Sequence, residues 1–112
     1  MLRIRVGHDE RSASWLTFPQ QPGKIDLFYM KMQEDPPMII YEAEASIPVL
    51  PEVLKGMRTD KESLRALVCL AKRLEYLTQA EQELFSAVLK TETPKSGKDI
   101  LSLSYNLDNY EL

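Results

Sequence analysis

Leu2, Ile4 and Val6 alternate with Arg3 and Arg5 at the head of the chain, the two-residue period of a strand with one buried face. His8 to Ser14 is polar and reads as a connection. Ser14 to Phe18 has strand composition and stops at Pro19, which cannot donate to a sheet ladder. Gln20 to Gly23 is a second connection. Residues 24–33 carry two periods at once. Ile25, Phe28, Tyr29 and Met32 follow helical spacing, whereas Ile25, Leu27, Tyr29 and Lys31 would line one strand face; the reading favours a short helix. Glu34-Asp35-Pro36-Pro37 forces a turn, and Met38 to Ala43 gives a third strand.

From Ser46 the period becomes helical. Pro48 to Leu54 predicts a short helix, with Gly56 suited to a left-handed cap beyond its end. Leu64, Leu67, Val68, Ala71 and Leu74 make one apolar stripe. Leu84, Phe85, Val88 and Leu89 make the next; Ile100, Leu101, Leu103, Ser104 and Leu107 make the last, beyond a loop around Pro94. Three hydroxyl residues stand three places before an acid: Thr59 before Glu62, Thr78 before Glu81, and Ser96 before Asp99. The first two fit the capping box, in which each side chain satisfies the other residue's orphan N–H, and Asp99 is a shorter variant. The second helix of the bundle accordingly begins after Thr59 or Asp60.

The predicted fold is α+β. A small antiparallel three-stranded sheet with one short helix occupies residues 1–45, and an antiparallel bundle of about four helices occupies residues 46–112, because short links leave consecutive helices as neighbours. The two lobes share a core, since 112 residues bury little as separate pieces.

Composition narrows the function classes. No apolar run approaches the roughly 20 residues of a membrane helix, the longest being of the size of Met38-Ile39-Ile40-Tyr41. Cys69 is the single cysteine, so no internal disulfide forms, and a cytoplasmic location is expected. The net charge of −3 is unevenly placed: residues 1–73 hold one more base than acid, while residues 74–112 hold seven acids against Lys90, Lys95 and Lys98. That balance argues against direct nucleic-acid binding, which needs a basic stripe.

Candidate chemistry is sparse. His8 lies in a polar connection and Cys69 mid-helix, where a cysteine reads as core filling, so no nucleophile–base pair is expected. One His and one Cys make no zinc site, and Gly7, Gly23, Gly56 and Gly97 form no phosphate-cradling loop. Arg3 and Arg5 read as charges guarding an edge strand. Trp15 reads as core, with interface anchoring as the other option. Neither enzyme activity nor a cofactor is expected.

Three stretches resemble the ArdA family of antirestriction proteins carried by mobile genetic elements. Trp15-Leu16-Thr17-Phe18-Pro19 is similar to the family's tryptophan-containing strand and its proline exit. Tyr41-Glu42-Ala43-Glu44-Ala45-Ser46-Ile47-Pro48 resembles the strand leading into the helical part. Residues 99–112 resemble the family's Asn-Leu-Asp-x-Tyr segment, here Asn106-Leu107-Asp108-Asn109-Tyr110, and Leu67 to Leu89 is similar to its helical hairpin in spacing. The resemblance covers the N-terminal and central lobes; family members continue into a third, acidic lobe. It implies an elongated DNA mimic that occupies the DNA-binding groove of type I restriction–modification enzymes, and it leaves room for a homodimer. On that footing Glu75, Glu81, Glu83, Glu92, Asp99, Asp108 and Glu111 stand in for phosphates. Tyr105, Asn106, Asn109 and Tyr110 form a candidate interface. The alternative is a non-catalytic interaction module of a mobile element that keeps the fold without the mimicry.

Overall fold

The computed structural model describes residues 2–18, 22–32 and 38–107. Four strands form one antiparallel sheet in the order β2-β1-β3-β4: β1 (Leu2–Gly7), β2 (Ser14–Phe18), β3 (Met38–Ala45) and β4 (Arg58–Thr59). Helix α1 (Pro22–Met32) joins β2 to β3 and so resolves the two-period segment as helix. Helices α2 (Leu50–Leu54), α3 (Lys61–Leu74), α4 (Gln79–Thr91) and α5 (Gly97–Tyr105) follow.

The α+β class stands, but the sheet has a fourth strand that the sequence reading did not give. Arg58 and Thr59 pair with Ile39 and Met38, and two residues are too few to show a period. Thr59 is buried in that ladder, so it does not cap α3 as the spacing to Glu62 had suggested. Asp60 takes the role instead, its Oδ1 accepting the Ser63 N–H at 2.8 Å. An adjacent acid with the same capping ability displaced the hydroxyl.

One buried cluster runs through the whole molecule. Leu2, Ile4 and Val6 on β1, Phe18 on β2 and Ile40 on β3 face Ile25 of α1 and the stripe Leu64, Leu67 and Leu74 of α3, then continue into Phe85 of α4 and Ile100 of α5. Helix α3 is the hub, packing on α1, β2, β4 and α5. The sheet lobe and the bundle thus share their core, in a body 42 × 24 × 19 Å.

Two backbone details shape the sheet. Register slips by one residue between Arg5 and Val6, leaving Tyr41 as the extra residue of a bulge on β3. Gly56 takes φ of +86°, a conformation that an L side chain resists, and its N–H bonds the Ile40 carbonyl at 2.7 Å, tying the end of α2 to β3.

Candidate functional site: the acidic helical side

The first turn of each bundle helix decides what its acids are doing. At α4, Thr78 Oγ1 accepts the Glu81 N–H at 3.1 Å and Glu81 Oε1 accepts the Thr78 N–H at 3.0 Å, so the predicted capping box is complete. The backbone N–H of Thr78, then its side chain, hold the Glu81 carboxyl below its ordinary range, with Arg73 adding attraction. At α5, Ser96 Oγ accepts the Asp99 N–H at 3.2 Å, and Asp99 Oδ2 reaches one residue further back, to the Lys95 N–H at 3.2 Å. Capping therefore explains Glu81 and Asp99 without a ligand.

It does not explain Glu75 or Glu92. Each stands at the C-cap of its helix, Glu75 of α3 and Glu92 of α4. There the helix dipole favours a cation, and an acid costs a few tenths to about 1 kcal/mol. Glu83 lies inside α4, exposed, on the wall of a groove that Ser86 and Lys90 also line. Glu92 and Asp99 border a second depression, of about 330 Å³, with Thr93, Pro94 and Ser102.

All five carboxylates are therefore gathered on α4 and the helix ends beside it. Glu81 and Glu92 are separated by about 16 Å of helix axis, at 1.5 Å per residue. Glu81 and Glu83, two residues apart on one helix, point about 200° apart round its axis and form no single row. Over the roughly 20 Å length of α4, duplex DNA would present about twelve charges, at one per 1.7 Å, so five carboxylates give less than half that density. Lys90, Lys95 and Lys98 are exposed among them.

Four acids earlier in the chain are held in ion pairs. Among the described residues, the ion pairs join Arg3 to Glu44 at 3.2 Å, Arg5 to Glu42 at 2.6 Å and to Glu10 at 3.5 Å, and Asp26 to Arg65 at 2.7 Å and Lys61 at 3.9 Å. Glu75, Glu81, Glu83 and Asp99 take part in none of these pairs. No protein-family model, curated protein or solved structure matches this chain.

The candidate interface at the C-terminus is seen in part. Tyr105 is exposed, with the Arg73 guanidinium 4.9 Å from its ring centroid. Asn106 caps α5, its Nδ2 donating to the Ser102 carbonyl at 2.7 Å, which is the helix-ending role its type suggests. Asp108, Asn109, Tyr110 and Glu111 lie outside the described residues.

Three readings need correction. Cys69 is exposed on α3 rather than filling the core, because it falls on the polar flank of a strongly two-sided helix. Arg3 and Arg5 sit on β1, which is flanked on both sides, so they guard no edge. Trp15 is 38% exposed on the outer sheet face, its ring covered by the Arg3 guanidinium at 4.2 Å, and is not core. The sequence carries a signal for this cross-strand ladder: Arg3-x-Arg5 and Glu42-x-Glu44 share the two-residue period that places each pair on one face.

Among the described residues, no group of three His, Cys, Asp or Glu side chains is arranged to hold a metal, and no helix is long and apolar enough to cross a membrane. The Tyr41 hydroxyl donates to the His8 backbone carbonyl at 3.5 Å.

Proposed function

We propose that this chain is a non-catalytic protein-binding module of the ArdA type, whose acidic α4–α5 side imitates DNA towards the DNA-binding groove of a type I restriction–modification enzyme in the cytoplasm. The observation that carries this reading is the uneven charge balance: residues 1–73 hold ten acids against eleven bases, and residues 74–112 hold seven acids against three lysines. The acids Glu10, Asp26, Glu42 and Glu44 are bound up with arginines and a lysine in the first two thirds of the chain. Glu75, Glu83 and Asp99 stand exposed in the last third and outside those pairs. Glu75 also occupies a helix end where its charge weakens the helix, a placement that local stability does not require.

A specific observation favours a second reading, in which the fold serves a mobile element as an interaction module without DNA mimicry. The carboxylates supply under half of the linear charge of DNA, and large apolar side chains are exposed as well: Leu27 at 59%, Met30 at 75%, Tyr76 at 79% and Tyr105 at 60%. That arrangement suits contact through mixed apolar and polar surface.

The test is a count of plaques from unmodified phage on cells that carry a type I restriction system and express the chain. Mimicry requires survival to rise with expression and the isolated enzyme to release the chain as salt is added. Unchanged restriction in the presence of abundant folded chain overturns mimicry. A partner retained at high salt, with restriction unchanged, supports the second reading.

A further inference from the structure

Helix α4 turns a polar face toward the connection between β3 and α2, and the two do not close on each other. Gln79, Gln82, Glu83, Ser86 and Lys90 recur at i, i+3, i+4, i+7 and i+11, so all five share one face of the helix. The facing wall is the connection itself, Ser46 to Val49. That wall is pinned from below: Ile47 and Val49 are buried in the shared core, and the Ile47 carbonyl accepts the Leu50 N–H at 3.2 Å. Between the walls lies a groove of about 500 Å³, within the roughly 300–1,000 Å³ of small-ligand sites.

The lining selects among occupants. Among the described residues no aromatic ring borders the groove, so it offers no platform on which a nucleobase would stack. Its single lysine is opposed by Glu83, which disfavours a ligand rich in phosphate. The amides of Gln79 and Gln82 each carry donors and an acceptor, the same two functions as a peptide unit. Gln82 is held at the wall by its Nε2, which donates to the Leu77 carbonyl at 3.2 Å. Ser86, half-buried, adds a hydroxyl that can both donate and accept. Pro48, exposed across the groove, offers apolar surface and no N–H. Glu83 and Lys90, both exposed, stand about 10 Å apart along the helix axis, at 1.5 Å per residue. An extended chain covers that distance in three residues, at about 3.3 Å each.

We propose that this groove binds an extended peptide segment carrying a basic side chain and, three residues away, an acidic one. The base meets Glu83, the acid meets Lys90, and the peptide units between them bond to the Gln82 and Ser86 side chains. This occupant presupposes the protein-binding module proposed above and supplies a sequence pattern for its partner. Carboxylates alone would serve a decoy for DNA. An acid and a base facing one groove do something further, because they reject a segment whose charges share one sign.

The probe is the tetrapeptide Arg-Ala-Ala-Glu with both termini capped, titrated into the isotope-labelled full chain and followed by nuclear magnetic resonance. Shifts should concentrate on the side-chain amides of Gln79 and Gln82 and on the backbone amides of Ser46, Ile47 and Val49. Capped Arg-Ala-Ala-Arg and Glu-Ala-Ala-Glu should each bind about two- to fivefold more weakly, since an exposed ion pair is lost at one end. Glu83→Lys should reorder the three, so that Glu-Ala-Ala-Glu binds best, and Lys90→Glu should favour Arg-Ala-Ala-Arg. A variant that had merely lost its fold would prefer none of them. Absence of shifts at the groove with millimolar peptide overturns the proposal, even where the chain protects phage from restriction. So does equal binding of the three peptides, or an order that both folded variants leave unchanged. Groove shifts in the expected order, from a chain that leaves restriction untouched, sustain the proposal and remove mimicry alone.

Discussion

Thr78 and Glu81 satisfy each other across the first turn of α4, hydroxyl to amide at 3.1 Å and carboxylate to amide at 3.0 Å. The pair fixes where α4 begins, and it also removes one carboxylate from the set available to a partner. Two consequences can be measured. Thr78→Ala leaves the Glu81 amide without its acceptor and should cost about 1 kcal/mol, seen as a fall in melting temperature of about 4 °C.

Glu81→Gln isolates the charge. The native Glu81 carboxyl is held below its ordinary range by the Thr78 amide. Its contribution to stability is therefore present above the pKa of the unfolded chain and is lost as pH falls through the lower folded value. The gap in melting temperature between wild type and Glu81→Gln should be open at neutral pH and should close as the pH drops below about 4. A gap that is constant across that window would mean the carboxylate makes no charged bond here.

Close approach, rather than conformational freedom, accounts for Gly97. A Cβ there would stand 2.6 Å from the Ser63 carbonyl oxygen of α3 and 3.2 Å from Leu67 Cγ. Gly97→Ala should destabilise by about 1–3 kcal/mol through overpacking at the α3–α5 contact. Gly23, in the first turn of α1, has nothing within 4 Å of such an atom. Gly23→Ala should be neutral or gain up to about 1 kcal/mol by restricting the unfolded chain. Paired chemical denaturations of the two variants check both signs.

Phe85 is fully buried where α4 meets the shared core. Phe85→Ala should cost about 3–5 kcal/mol, a large part of the roughly 5–15 kcal/mol typical of a small domain. The denaturant midpoint should fall steeply while the slope of the transition stays unchanged. Survival of the midpoint would mean that α4 is peripheral to folding.

These elements also show what could be read from the chain alone. The helical stripes of α3, α4 and α5 were legible because each spans about two and a half turns or more, long enough for a 3.6-residue period to stand out, and Thr78 and Ser96 marked two of the starts. Strand β4 was not legible, because two residues carry no period and its pairing with Met38 and Ile39 is decided by tertiary contact. Cys69 was misplaced by residue type: its flank of α3 also carries Arg65 and Lys72, which a helical projection would have shown. Arg3 and Arg5 were assigned to the right face but the wrong position in the sheet, since strand order does not follow from alternation. The acids of the last third were legible as residues. Their directions, Glu81 inward to a cap and Glu83 outward, needed the helix register.

Glu75 offers the sharpest division between a structural acid and a functional one. It ends α3 exposed, at the pole where the helix dipole disfavours it, with Lys72 one turn before. A residue retained for the fold should destabilise when neutralised, as Glu81→Gln is expected to do. A residue placed for a partner should do the reverse. Glu75→Gln is therefore expected to raise stability by a few tenths to about 1 kcal/mol and, under the mimicry reading, to lower phage survival in the restriction assay. Opposite signs in melting temperature and in protection would assign Glu75 to the contact surface. A loss of both, parallel to Glu81→Gln, would return it to the scaffold, and the proposed surface would then rest on Glu83 and Asp99, with a charge density still further below that of DNA.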